Sequence, residues 1–143
     1  MAGCEPPSDR SGVVAVIRRD ERLLVIRRAQ CVAAPGMLCF PGGGVEAGES
    51  EPQTLVRELR EELNVRVLPV RRLWKSRTPW NVTLYWWLAD LPMHERPAAN
   101  PAEVAAIHWY TPREMAALGD LLRSNHAFLA ALAGAEFTLE PRE

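Results

Sequence analysis

Hydrophobic and polar positions follow two periods along the chain, and the change of period separates strands from helices. Runs rich in β-branched and aromatic residues predict strands over residues 12–18, 23–28, 37–40, 65–77, 81–91 and 103–111. The first two strands form a predicted hairpin. A helical period predicts one helix from Glu51 to Leu63 and two short helices over residues 112–134, with a break near Gly119. Strands before and after a helix, followed by closing helices, indicate a layered α/β (α+β) domain.

The first predicted helix carries sequence signals at both ends. Ser50 suits the N-cap, and Gln53 three residues later completes a capping box. Pro52 lies in the first turn, where a missing N–H is tolerated. Asn64 follows the last helical residue, a position where a left-handed conformation often ends a helix. The helix therefore begins shortly after the glycine cluster of residues 42–44, which we expect to form a turn.

Length and composition limit the classes of protein that fit. The chain has 143 residues, 48% of them apolar and 24% charged, which suits one globular domain. We expect this domain to span residues 11–135, with flexible ends at 1–10 and 136–143. The net charge of −1 provides no field to attract a nucleic acid polymer or a membrane, and no apolar run approaches a membrane span. Three cysteines without metal-ligand spacing, and no signal peptide, predict a cytoplasmic setting.

Three carboxylates crowd one side of the predicted helix. At about 100° per residue, the core face contains Leu55, Val56, Leu59 and Leu63. Glu58, Glu61 and Glu62 share the neighbouring arc, where like charges repel by a few tenths of a kcal/mol per pair. One explanation is a solvated helix face in which Arg57 and Glu61 form an ordinary ion pair.

The other explanation is a cation among the carboxylates. They follow a glycine-rich segment whose backbone can approach a ligand closely, and Glu46 and Glu49 lie in the same region. Hard oxygen ligands in this number suit Mg²⁺ or Mn²⁺, which usually share a site with substrate phosphates. This context favours the cation site.

The stretch from Gly43 to Val65 resembles the Nudix box, G-x5-E-x7-R-E-U-x-E-E-x-G-U, in which U is apolar. Every specified position matches except the late glycine, which is Asn64 in this chain; Asn tolerates the left-handed conformation nearly as well, so we expect a cost in stability and not in chemistry. The lead-in FPGG and the downstream HWYTP also look like the family. The resemblance implies a Nudix-type αβα sandwich with a mixed β-sheet that hydrolyses a nucleoside diphosphate linked to a further group X.

The resemblance also implies the residues that would hold Mg²⁺, or Mn²⁺ in its place: the carbonyl of Gly43 and the carboxylates of Glu58, Glu61 and Glu62. Glu61 would act directly or through a water molecule. Arg57 would orient the carboxylates, and Glu49 would brace the loop against the helix. The base that activates water is either a box glutamate or a glutamate from a distant loop. Glu103 is the candidate for the latter, and Glu95 is a weaker one.

Three alternatives stay open for the function, and the first two differ in their substrate. A short chain resembles the MutT-type enzymes that cleave nucleoside triphosphates, canonical or oxidised, to the monophosphate and pyrophosphate. Pro79 lies near the position where family members acting on ADP-ribose carry a proline, so ADP-ribose or a nucleotide sugar is the second alternative. A non-catalytic ligand-binding domain is the third. The resemblance also allows a homodimer.

Candidate substrate contacts are Gly42, Gly43, Arg28 and Trp80. Trp80, in a predicted turn, either stacks on a base or packs against its loop. Arg27 and Arg28 point to opposite faces of a strand, so at most one of them faces the site. Structural roles are expected for the remaining aromatic residues considered and for the histidines: Phe40, Trp86, Trp109, His94, His108 and His126.

Overall fold

The structure is a computed structural model that describes residues 10–140. In chain order its elements are β1 (Arg10–Arg19), β2 (Arg22–Arg28), β3 (Leu38–Cys39), β4 (Gly42–Gly44), α1 (Glu51–Leu63), β5 (Leu68–Arg77), β6 (Val82–Asp90), β7 (Val104–Tyr110), α2 (Pro112–Ala116) and α3 (Arg123–Ala133). The mixed α+β class is confirmed. The short helices α2 and α3 lie on either side of Gly119, as predicted.

The sheet is mixed and has β1 at its centre. Its strand order is β3-β2-β1-β6-β5, with β4 also paired to β1 and β7 to β2. β1 runs parallel to β6 but antiparallel to β2 and β4. The predicted β1–β2 hairpin is confirmed, and Asp20 in its turn adopts a left-handed conformation with φ 59°.

Two apolar clusters lie on opposite faces of the sheet. Ile17 of β1 packs with Leu59 of α1 on one face, whereas the adjacent Val16 packs with Met115 of α2 and Phe128 of α3 on the other. Because neighbouring side chains of a strand point to opposite faces, one strand serves both clusters. The result is the expected αβα sandwich.

Three aromatic residues for which the sequence predicts a structural role, Phe40, Trp86 and Trp109, pack against the two apolar clusters. Phe40 and Trp86 are buried within the cluster on the α3 face. Trp109 is partly buried against the cluster on the α1 face.

Helix α1 has the predicted bounds and the predicted caps. The Ser50 side chain accepts a hydrogen bond from the Gln53 N–H, and the Gln53 side chain accepts one from the Ser50 N–H. Asn64 ends the helix in the left-handed conformation, with φ 54° and ψ 40°. Glu62 follows Leu55 by seven residues, so it lies at the border of the core face and is buried.

Two local predictions were wrong. The glycine cluster is not a turn: Gly42–Gly44 forms the strand β4, whose residues pair with Gly12, Val13 and Val14 of β1. The predicted strand at 65–77 begins only at Leu68, which pairs with Asp90 of β6. The preceding Val65 and Val67 are both buried in the cluster that includes the core residues of α1, so their apolar character reflects core packing and not strand pairing.

The predicted flexible ends are only partly described. Residues 1–9 and 141–143 lie outside the described residues, and Arg10 already belongs to β1. Phe137 and Leu139 pack against the cluster on the α3 face. The Arg71 guanidinium donates to the carbonyl oxygens of Thr138 and Glu140, both at 2.9 Å. These contacts differ from the free tail expected from residue 136 onward.

Candidate functional site

Three carboxylates meet at one end of α1. Glu58 and Glu62 come from successive turns of the helix, and Glu103 comes from the segment just before β7. Each offers an oxygen, and these oxygens all lie within 4.8 Å of one another. Glu62 is only 8% exposed, and the Glu58 side chain is 12% exposed. We call these three residues the carboxylate cluster.

Strand β4 brings the backbone against the carboxylate cluster. The Gly42 N–H donates to Oε1 of Glu62 at 3.0 Å. A Cβ atom on Gly43 would overlap the Glu58 carboxylate, and one on Gly42 would overlap the carbonyl oxygen of Val13. Only glycine therefore lets β4 lie between β1 and the acidic face of α1.

Arg57 ties the helix to the loop that precedes it. Its Nε and Nη2 atoms donate to the two carboxylate oxygens of Glu49 at 2.6 and 3.0 Å, in bidentate geometry. Its Nη1 donates to Glu58 at 3.0 Å, and its Nη2 also donates to the Gly44 carbonyl at 2.9 Å. Glu49 accepts a further bond from the Thr54 hydroxyl at 2.8 Å. Arg57 therefore restrains one cluster carboxylate while its main partner is Glu49.

The pKa values of Glu58 and Glu62 in the cluster are raised, whereas the pKa of Glu49 is lowered. Burial raises the pKa of Glu62 to about 8; the neighbouring Glu58 and Glu103 add to the shift, and the Gly42 N–H opposes it. Burial also raises the pKa of Glu58, although Arg57 opposes this. In contrast, hydrogen bonding to Arg57 lowers the pKa of Glu49 to about 2. The three close carboxylates form a hard oxygen donor set, which fits a divalent cation such as Mg²⁺ or Mn²⁺.

Two other predicted acidic residues lie outside this group. The Glu61 side chain is 48% exposed and contacts Arg57 Nη1 at 3.3 Å. The structure therefore does not bring Glu61 into the carboxylate cluster, although a water-mediated role stays a prediction. Glu95 accepts a hydrogen bond from the Arg66 N–H at 2.8 Å, beyond the C-terminal end of α1. Among the described residues, the cluster contains no histidine, and the structural roles of His94, His108 and His126 stay a prediction.

A cleft of about 410 Å³ opens beside β4. Gly42, Gly43 and Arg28 line it, and their role as substrate contacts stays a prediction. The Arg28 Nε donates to the Ala33 carbonyl at 2.6 Å, and its Nη1 approaches the Cys39 sulfur at 3.6 Å. The guanidinium of Arg28 thus adds a positive charge to the cleft near the carboxylate cluster. The apolar residues that line the cleft include Val82, Leu84 and Leu122.

The other predicted contacts lie further away. Arg27 pairs with Asp120 at 3.0 Å and does not line the cleft, so only one arginine of the pair faces the site. Trp80 is 79% exposed in the turn between β5 and β6 and is not among the residues that line the cleft in the described part of the chain. Its role in stacking stays a prediction.

Sequence reasoning missed polar residues that only the fold brings to the site. Cys39, Ser124 and Asn125 line the cleft, and Asn125 is buried, with Oδ1 accepting from the Phe40 N–H at 2.9 Å. Asn100 contacts both α1 and Glu103. The polar Ser-Asn pair near the start of α3, whose last seven residues are apolar, was a usable signal for the cleft, whereas no local pattern singled out Asn100.

The fold and the site together define an α/β domain in which three carboxylates meet beside a helix, a donor set that could hold a metal ion. The chain belongs to the Nudix hydrolase family, since the model of the NUDIX domain matches residues 8–132. The resemblance of the box to this family is therefore confirmed.

Relatives and solved structures agree with this family. The chain is 47% identical over 53 residues to the CTP pyrophosphohydrolase of Escherichia coli, covering 37% of this chain and 39% of that protein. It is 32% identical over 81 residues to the E. coli 8-oxo-dGTP diphosphatase, covering 54% of this chain and 63% of that protein. The solution structure of the E. coli ORF135 protein is similar with a TM-score of 0.71 and 28% identity, over 89% of this chain and 90% of that one.

The sequence matches to the two E. coli enzymes cover only part of those proteins. The matches to these two enzymes span less than two thirds of either relative's length. A MutT Nudix hydrolase from Burkholderia pseudomallei, with a TM-score of 0.70 but 24% identity over 87% of this chain and 98% of that one, supports the fold alone. In the part of the chain that the structure describes, no helix is both long and apolar enough to span a membrane.

Proposed function

We propose that this domain is a Mg²⁺-dependent pyrophosphohydrolase that cleaves a nucleoside triphosphate, canonical or oxidised, to the monophosphate and pyrophosphate. The observation that carries the proposal is the position of the carboxylate cluster, whose oxygens lie within 4.8 Å of one another beside the cleft. The names of the two E. coli relatives, which specify CTP and 8-oxo-dGTP, support a nucleoside triphosphate. ADP-ribose or a nucleotide sugar is the alternative substrate, and a non-catalytic ligand-binding domain is the alternative function.

In this proposal Glu58 and Glu62 hold the metal, with the Gly43 carbonyl and Glu61 as further predicted ligands. A bound Mg²⁺ would neutralise phosphate charge and lower the pKa of a water molecule. Arg57 keeps the Glu58 carboxylate in place through its hydrogen bond at 3.0 Å. Arg28, whose side chain lines the cleft, would bind a phosphate oxygen.

The reaction breaks a phosphoric anhydride bond with water. Glu103 is our candidate for the base: one of its carboxylate oxygens takes a proton while the water oxygen bonds to phosphorus. The bond from phosphorus to the bridging oxygen breaks, and pyrophosphate leaves with the electron pair.

Trp80 would stack on the nucleobase of the substrate, which contributes about 1–3 kcal/mol in comparable contacts. Free Cys31 and Cys39 suit a reducing compartment such as the cytoplasm, and a homodimer stays a prediction.

A nucleotide panel tests the proposal. Canonical and oxidised nucleoside triphosphates, ADP-ribose, nucleotide sugars and dinucleoside polyphosphates are assayed with Mg²⁺ and Mn²⁺, and products are identified by ³¹P NMR. We expect a monophosphate and pyrophosphate from a triphosphate. Cleavage of ADP-ribose or a nucleotide sugar alone would replace the substrate class, and no cleavage of any compound would favour the ligand-binding alternative.

A substitution then tests the role of the cluster. Glu62→Gln should lower kcat about 100-fold or more, because removing a metal ligand removes transition-state stabilisation. Glu136→Gln, the same change at an exposed position outside the site, is the matched control. A loss of less than tenfold for Glu62→Gln would contradict the assignment of Glu62 to the metal.

A further inference from the structure

Asn100 connects the two parts of the chain that supply the carboxylate cluster. Glu58 and Glu62 lie on α1, whereas Glu103 lies in the loop before β7, outside any helix or strand. The carboxyl groups of Glu58 and Glu62 lie within 4.8 Å of that of Glu103, and such groups repel one another once they ionise. Something must therefore hold Glu103 at the cluster when no cation is bound.

The loop that contains Asn100 caps the C-terminal end of α1. The last carbonyl groups of a helix have no intrahelical donor. Here the Asn100 N–H donates to the Glu62 carbonyl at 2.9 Å, and the Ala98 N–H donates to the Leu63 carbonyl at 2.8 Å. The Asn100 side chain adds Nδ2 to the Glu61 carbonyl at 3.2 Å. Three successive helix carbonyls are thus satisfied by this loop.

The same side-chain amide also reaches the carboxylate of Glu103. Asn100 Nδ2 lies 3.3 Å from Oε2 of Glu103, so its two hydrogens serve one helix carbonyl and one cluster carboxylate. The orientation of the amide is determined by its oxygen, because Oδ1 accepts from the Ala102 N–H at 3.1 Å. The Asn100 carbonyl accepts from the N–H groups of Glu103 at 2.9 Å and Val104 at 2.8 Å.

We propose that Asn100 is a positioning residue that holds the Glu103 carboxylate against the carboxylate cluster by donating one amide hydrogen to Glu103 and the other to the end of α1. A neutral donor is required here, since an acid would repel both the helix carbonyl and Glu103. The functional consequence rests on the proposed metal-dependent hydrolysis. The structural part, the position of Glu103, does not.

Asn100→Asp tests this with almost no change of shape. Aspartate keeps the acceptor for the Ala102 N–H but replaces the donor with a second oxygen. We expect the Glu103 carboxylate to leave the cluster in a crystal structure of the metal-free variant. We also expect the affinity for Mn²⁺, measured by electron paramagnetic resonance, to fall about tenfold or more, because the negative charge of Glu103 would no longer lie beside the ion and its ligands. On the accepted nucleotide, kcat should fall by a similar factor, with KM within twofold.

Two further variants make the test specific. Asn64→Asp adds a negative charge at the same helix end and should leave Mn²⁺ affinity and kcat within twofold. In a Glu103→Gln background, Asn100→Asp should change Mn²⁺ affinity less than twofold further, because the group it positions is already altered. An equal loss in both backgrounds, or a Glu103 carboxylate that stays in the cluster of Asn100→Asp, would overturn the inference. A wild-type protein that binds no Mn²⁺ and cleaves nothing would instead refute the proposed function, while the crystal structure still decides the position of Glu103.

Discussion

At the scale of single residues, Glu62 shows how one side chain can combine two conflicting demands. Its position seven residues after Leu55 places it at the border of the core face of α1, so it is buried, yet its carboxylate lies beside two others. Burial raises its pKa to about 8 from 4.5. Ionising Glu62 without a cation therefore costs folding free energy.

This predicts a pH dependence of stability in metal-free protein. Between the unfolded pKa of 4.5 and the folded pKa of about 8, the folded state binds more protons than the unfolded state. The free energy of unfolding in EDTA should therefore fall as pH rises through this window, with a slope of up to about 1.4 kcal/mol per pH unit. Chemical denaturation at several pH values measures it. Glu49 affects stability in a different pH range, because its lowered pKa costs stability only as pH falls from 4.5 toward 2.

Glu62→Gln should remove most of this slope, whereas Glu136→Gln should keep it. Saturating Mg²⁺ should also flatten the slope in the wild type, since the cation stabilises the ionised carboxylates. Equal slopes in the wild type and in Glu62→Gln would contradict the assignment of the titration to Glu62.

At the scale of elements, the glycine strand β4 and helix α1 act as a pair. The helix follows from local signals, and its bounds and caps agree with the sequence prediction. The strand does not, because three consecutive glycines have low strand propensity and are more typical of turns. Pairing with β1 and close approach by Glu58 are contacts between distant segments, which no local pattern records.

Gly43→Ala tests the closeness of this pair. The added methyl group would overlap the Glu58 carboxylate and displace it, so we expect kcat on the accepted nucleotide to fall about tenfold or more. Gly119→Ala is the matched control, because a Cβ atom there meets nothing within 4 Å. Thermal unfolding of both variants separates a loss of activity from a loss of fold. Wild-type kcat in Gly43→Ala would show that the backbone and Glu58 are not in the proposed contact.

At the scale of the whole molecule, the sheet separates two apolar clusters, and the C-terminal segment adds to one of them. Phe137 lies 4.9 Å from Phe128 and 6.2 Å from Trp74, measured between ring centroids. The composition of residues 136–143 predicted a flexible tail, since Pro, Glu and Arg dominate it. Two apolar residues in that segment are enough for the contact observed with the α3 face.

Phe137→Ala should lower the free energy of unfolding by about 1–3 kcal/mol, less than for a fully buried phenylalanine because the ring is only partly buried. Urea denaturation measures the change, and kcat should stay near the wild-type value since the segment lies away from the carboxylate cluster. Leu68→Ala, at an apolar residue that is 54% exposed, is the control and should have little effect. An unchanged free energy in Phe137→Ala would favour the free tail.

The sequence by itself determined the features whose signals are local: the period and caps of α1, the hairpin of β1 and β2, and the order of glutamates and arginine that identifies the Nudix box. These rest on interactions between residues a few positions apart, so the chain records them directly. Only the tertiary structure decided which acidic side chains meet. It placed Glu103 with Glu58 and Glu62, left Glu61 half exposed on Arg57, and put Asn100 between helix and loop. Those choices depend on how distant segments pack around the sheet, and a short motif contains no record of that packing.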